Sequence, residues 1–142
     1  MSSRTDTSKL LDRKLVLPSK SDIIHHVEEL IDEIRTELDF REDVYGNVMV
    51  AVTEAVNNSV LHGNQGDSSK KVFVEVEMEN QYRLVVRVRD EGPGFDPSQL
   101  ADPTAPENIA NIGGRGVFLM QHLSDELAFL DEGRVVEMVF NI

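Results

Sequence analysis

Glu54, Asn58 and His62 recur every four residues, a spacing that lines side chains along one side of a helix. An amide oxygen such as that of Asn58 is a hard ligand suited to magnesium. A neighbouring carboxylate such as Glu54 can orient or deprotonate a hydroxyl or a water. On spacing alone, an ordinary solvated helix face accounts for the same three residues equally well. Asn57-Asn58 favours the chemical reading, because asparagine is a poor helix former unless its side chain is used. A second group, Asp90-Glu91-Gly92-Pro93-Gly94, follows directly on an alternating apolar run. Alone it is a turn signal. At the end of a strand it also presents a carboxylate to whatever packs on the sheet, while the glycines let backbone approach closely. Such a buried acceptor can read the exocyclic amine of adenine. A third group, Gly113-Gly114-Arg115-Gly116, leads into Val117, Phe118, Met120 and Leu123. Free N–H groups at a helix start hold anions, although a tight loop-to-helix turn would look the same. The group is neither a Walker loop nor a dinucleotide fingerprint, since both need other residues at other spacings.

The elements that must position these groups are legible in the periodicity. Arg13–Leu17 reads as a short edge strand stopped by Pro18. Ser19 and Asp22 form a weak capping box, and Ile23, Val27, Leu30, Ile31, Ile34 and Leu38 repeat at helical spacing, predicting a helix from about Lys20 to Leu38. After Phe40, the stripe Val44, Val48, Ala51, Val52, Ala55 and Ser59 predicts a second helix, ended by the turn residues Gly63–Asp67. Val72, Val74, Val76 and Met78 then alternate with Phe73, Glu75 and Glu77. Leu84, Val86, Val88 and Asp90 alternate with Val85, Arg87 and Arg89. The two runs predict an antiparallel hairpin with acids and bases facing each other on its solvent side; its register is open. Residues 91–112 carry no period. A short helix follows Gly116, then strands near Leu127–Leu130 and Arg134–Ile142 joined by Asp131-Glu132-Gly133. Consecutive strands with tight turns predict an α+β fold, a mostly antiparallel sheet with helices on one face.

Composition narrows the function classes. The 142 residues suit one domain, a flexible arm over residues 1–11 and a folded unit over 12–142. There is no cysteine, so disulfides and thiolate metal sites are excluded. The net charge is −12, from 26 acids and 14 bases, and the basic residues form no cluster longer than a pair such as Lys70-Lys71. Direct nucleic-acid binding is therefore not expected. No apolar run approaches the ~20 residues that span a bilayer, and the N-terminus lacks a signal-peptide core. The expected location is the cytoplasm. An anionic nucleotide bound by so acidic a chain would need local neutralisation, by a metal ion and by backbone N–H groups.

Taken in order, the three groups resemble a known family. Glu54-Ala55-Val56-Asn57-Asn58-Ser59-Val60-Leu61-His62-Gly63 is similar to the N box of the histidine-kinase/gyrase-type ATPases. Asp90-Glu91-Gly92-Pro93-Gly94 resembles their first glycine box, and Gly114-Arg115-Gly116-Val117-Phe118-Leu119-Met120 the second. The match is best to the anti-sigma factor serine kinase branch and covers about residues 12–142.

The resemblance implies a Bergerat-type α/β sandwich that binds ATP with Mg2+. It implies that Asn58 ligates the magnesium and that Glu54 is the general base for a serine hydroxyl of a partner protein. Asp90 would recognise adenine, with Gly92 and Gly94 shaping the pocket. Gly114, Arg115 and Gly116 would line the phosphates, and residues 95–112 would form a lid. His62 could be an outer contact of the site or merely pack a helix end. Three departures stand out. Ile112 occupies the place of an arginine thought to contact the terminal phosphate, Gly133-Arg134 stands where a third glycine-threonine box would be, and no dimerisation helix with a phospho-acceptor histidine is present. The expected function is an anti-sigma-type serine/threonine kinase in a partner-switching module. It would sequester a sigma factor or similar target and phosphorylate a small antagonist protein. The alternative is a non-catalytic switch in which nucleotide occupancy chooses the partner. Members of this branch often form homodimers, with the first strand and helix near the interface.

Overall fold

The computed structural model describes residues 11–38, 40–94 and 114–142. Five strands, β1 (Leu11–Pro18), β2 (Lys71–Asn80), β3 (Arg83–Arg89), β4 (Glu126–Leu130) and β5 (Val135–Asn141), form one sheet in the order β1-β2-β3-β5-β4. Every neighbouring pair is antiparallel. Three helices accompany it: α1 (Ile24–Leu38), α2 (Glu42–Asn58) and α3 (Gly114–Leu123). This is the expected α+β sandwich, and the alternation in β2 and β3 explains its two faces. Val72, Val74, Val76 and Met78 join Leu84, Val86, Val88, Val136, Met138 and Phe140 in a single apolar cluster. The helices complete that cluster with Val27, Ile31 and Ile34 of α1, Val48, Val52 and Ala55 of α2, and Met120 of α3.

The opposite face carries the charges. Register sets Glu75 across from Arg87, and Arg87 across from Glu137. Arg87 donates to Glu75 at 3.1 Å, to Glu137 at 2.7 Å and to Glu77. Burial opposes its charge, but the bonds to Glu77 and Glu137 outweigh burial and hold the guanidinium above its usual range. Acids and bases thus meet as the alternation implied. A bulge between Met78 and Asn80 sets the hairpin register, and Tyr82 N–H bonds Asn80 Oδ1 at 2.8 Å in the turn.

Several boundaries differ from the sequence reading. β1 starts at Leu11, which is buried and pairs with Met78, so Leu11 belongs to the sheet rather than to the arm. The capping box of Ser19 and Asp22 does not form. The first turn is a 3-10 segment, Ser21–Ile23, preceded by Lys20, and Ser19 Oγ instead donates to Lys70 O at 2.8 Å. A backbone carbonyl distant in sequence takes the hydroxyl instead of the local cap. Arg134 lies in the β4–β5 turn and not in the last strand, because Asp131, Glu132 and Gly133 all take positive φ. The chain path that was expected to form a lid, 95–112, lies outside the described residues. Among those described, no helix is long and apolar enough to cross a membrane.

The α1–sheet contact concentrates apolar burial. Ile34 is 2% exposed and lines a small apolar cavity together with Phe40, Val48, Val52 and Val76. Truncation to alanine removes three carbons from a site that rigid strands cannot refill. Ile34→Ala is expected to cost about 2–5 kcal/mol in urea unfolding; a loss below roughly 1 kcal/mol would mean this layer is not part of the core.

Candidate functional site

α2 carries the site because its two flanks differ. Val44, Val48, Ala51, Val52, Ala55 and Val56 are buried, whereas Glu54 and Asn58 sit half-buried beside them. What covers this pair is the start of α3. A Cβ placed on Gly116 would lie 2.8 Å from Asn58 Nδ2, 3.1 Å from Asn58 Oδ1 and 3.2 Å from Glu54 Oε1. The second glycine group therefore has a physical reason for its glycine: backbone has to pass over an amide and a carboxylate. The structure brings Glu54, Asn58 and Gly116 together. Gly114 is the first residue of α3, while nothing is described of the Arg115 side chain, and Gly113 and Ile112 lie outside the described residues.

The helix does not end where its hydrogen bonding would first allow. Residues Ser59–Gly63 continue it as a π-helical turn, and Asn64 N–H reaches Ser59 O at 2.8 Å, five residues back. His62 is exposed, and no hydrogen bond or ion pair involves it among the described residues. It thus differs from Glu54 and Asn58, which are half-buried.

Gly63, in contrast, meets the first glycine group. A Cβ on Gly63 would fall 2.2 Å from Asp90 Oδ2, and one on Gly92 would fall 1.7 Å from Gly63 O. Helix end and loop therefore interlock without side chains between them. The contact lies five residues beyond Asn58, roughly 7 Å further along the chain axis. Asp90 is 7% exposed, and its Oδ1 accepts from Gly92 N–H at 2.9 Å. Burial pushes its carboxyl above the ordinary range; the Gly92 N–H and the charges of Arg134, Arg89 and Lys70 partly offset this. Among the described residues its Oδ2 has no hydrogen bond, and a buried acceptor of this kind suits a neutral donor such as an aromatic amine.

Two further residues escaped the sequence reading. Asn64 is fully buried and saturates its amide: Nδ2 donates to Ser19 Oγ at 2.7 Å and Lys71 O at 2.9 Å, while Oδ1 accepts from Glu91 N–H at 2.7 Å. Arg134 donates to the carbonyls of Gly92 at 2.9 Å and Pro93 at 3.0 Å. Asn64 looked like one more turn residue among Gly63–Asp67, and Arg134 like a strand residue. Only its place after a glycine, where a box was missing, set Arg134 apart.

The donors present fit a hard divalent cation. Asn58 Oδ1 and Glu54 Oε1 are neutral and anionic oxygens beside the first turn of a helix, whose free N–H groups favour anions. Magnesium with phosphate oxygens meets both preferences.

The two glycine contacts separate cleanly in variants. Gly116→Ala meets only flexible side-chain ends, so its melting temperature should stay near wild type while nucleotide affinity falls at least about tenfold. Gly92→Ala meets backbone, and should lose about 1–3 kcal/mol or more of stability. Thermal melts and binding of a fluorescent ATP analogue check both. Asp90→Asn gives a third outcome. A carboxyl with a raised folded-state pKa costs stability once it is ionised, and that cost fades as pH falls through the raised value. Nucleotide-free Asp90→Asn should thus melt at or above wild type at pH 7, with the difference closing in acid. A clearly lower melt at pH 7 would contradict the burial argument.

Residues 18–140 match the family described as Histidine kinase-like ATPase domain. The serine-protein kinase RsbW of Listeria innocua serovar 6a is 30% identical over 131 residues, covering 87% of this chain and 83% of that protein. RsbW of Bacillus licheniformis is 28% identical over 128 residues, covering 85% and 79%. In solved form, the RsbU and RsbW domains of Rv1364c from Mycobacterium tuberculosis share the fold with a TM-score of 0.64 at 15% identity. That likeness spans 92% of this chain and 31% of the longer one. By the extent of these matches, the chain belongs to the histidine kinase-like ATPase domain family, and serine-protein kinases RsbW are among its relatives.

Proposed function

We propose that this chain is a serine-protein kinase that binds ATP with Mg2+ and phosphorylates a small antagonist protein in a partner-switching module. The observation that carries the reading is the approach of Glu54 and Asn58 to the Gly116 backbone at the start of α3. Kinase names among the relatives support the reaction class. Asp90 accepts from the adenine amine, and Gly92 and Gly94 shape the loop around the base. Gly114, Arg115 and Gly116 line the phosphates. Asn58 supplies an oxygen to Mg2+, whose charge would offset that of the phosphates in an acidic chain.

Glu54 then acts on the incoming serine. Its carboxylate takes the hydroxyl proton as the serine oxygen bonds to the γ-phosphorus, and the bond from that phosphorus to ADP breaks. Sequestration of a sigma factor or similar target, residence in the cytoplasm and a lid over 95–112 complete the proposal. A homodimer through β1 and α1 fits the position of β1 at the edge of the sheet, where Val16 is 55% exposed.

One departure in the sequence favours a second reading. Ile112 stands at the place of the family arginine, and a chain without that cation could use ATP only to choose its partner. Transfer of labelled γ-phosphate to a serine of the antagonist protein distinguishes the two. The kinase reading expects transfer that falls by about 10²–10⁴ in Glu54→Gln with ATP affinity retained. Tight ATP binding with no transfer by the unaltered chain would sink it in favour of the switch.

A further inference from the structure

Arg134 makes more bonds to the Asp90 loop than any role in a turn requires. Its Nε donates to Gly92 O at 2.9 Å and its Nη2 to Pro93 O at 3.0 Å. Its own carbonyl accepts from Asp90 N–H at 2.9 Å. Through Nη1 the same guanidinium is tied to Asp131 O and Glu132 Oε1, each at 3.2 Å, so it is anchored in the β4–β5 turn. Packing adds to the bonds: a Cβ on Gly94 would lie 2.5 Å from Glu132 O and 3.3 Å from the Arg134 guanidinium carbon. The loop residues 90, 92 and 93 are therefore held from one side by one side chain and its backbone. Residue 91 is held from the other side, by Asn64.

The consequence reaches the Asp90 carboxylate by one step. Gly92 N–H orients Asp90 Oδ1, and on the far side of the Gly92 Cα the Gly92 and Pro93 carbonyls are bonded to Arg134, so the guanidinium restrains the residue that carries that N–H. A planar guanidinium can bridge two carbonyls in one fixed fork, which an ammonium on a flexible stem cannot do. We infer that Arg134 is a positioning residue for base selection: by clamping the Gly92 and Pro93 carbonyls it aims Asp90 at the amine of the bound purine. The inference rests on the reading of Asp90 as the adenine acceptor. It also gives a use to the residue that stands where the family's third glycine-threonine box is missing.

The test compares Mg-ATP with Mg-purine riboside triphosphate, which lacks the exocyclic amine, each competed against a fluorescent nucleotide. The unaltered chain, Arg134→Ala, Arg134→Lys and Asp90→Asn are measured together with their melting temperatures. The unaltered chain should prefer ATP. Arg134→Ala should lose about tenfold in ATP affinity with little change for the analogue, so that the preference collapses. Arg134→Lys should keep the charge and the melting temperature yet lose the preference as well. Should Arg134→Ala fail to fold, the lysine variant decides on the same terms. An equal loss for both nucleotides, or a preference kept by Arg134→Lys, would overturn the inference, because a merely structural or merely electrostatic role predicts those results. Failure of the underlying reading looks different: the unaltered chain would show no preference, or Asp90→Asn would retain it.

Discussion

Where α2 ends, its final turn must lie against the loop leaving β3 with no side chain between them. Gly63 and Gly92 are in backbone contact there, and neither position has space for a Cβ. From this one constraint much follows. The π-helical turn Ser59–Gly63 extends the helix far enough for the contact to be made. Asp90 is buried beside Gly63, and burial pushes its carboxyl above the ordinary range. Asn64 comes immediately after, fully buried, and its amide ties the end of β1, the start of β2 and Glu91 together. An unsatisfied buried amide is costly, so these bonds resist displacement as a set.

Charge is distributed to match. The chain carries −12 overall, yet its acids are not simply dispersed. On the open sheet face Arg87 gathers Glu75, Glu77 and Glu137, and Arg83 bonds Glu79 and Glu126 at 2.7 and 2.9 Å. At the site, by contrast, Glu54 and Asn58 lie against the Gly116 backbone, and among the described residues no cation is bonded to them. Oxygen donors left beside a helix start suit a metal ion bridging to phosphate, which is how an acidic protein can hold an anionic nucleotide. Arg83 and Arg87 thus bind acids on the sheet, while the oxygen donors Glu54 and Asn58 lie in the helix layer.

The sequence was most informative where a single element carried the pattern. Alternation in Val72–Met78 and Leu84–Val88 set the inner face of the hairpin, and the stripe from Val44 to Ala55 set the buried side of α2. It was least informative where partners come from distant segments. Ser19 looked like a helix cap, but its hydroxyl goes to Lys70 across the β1–β2 end. His62 shares the four-residue spacing of Glu54 and Asn58, yet it is exposed in the π turn while they are half-buried.

By itself, then, the sequence determined the α+β class, the two faces of the sheet, and the residue types from which the site is assembled. Those properties follow from local period and from chemistry carried by single side chains. Only the tertiary structure decided which of them meet. Gly116 covers Asn58 and Glu54, Gly63 abuts Asp90, and Arg134 reaches two carbonyls forty residues back along the chain, 42 and 41 positions away. Such contacts depend on close approach between elements, and no periodicity within one segment records the distance to another.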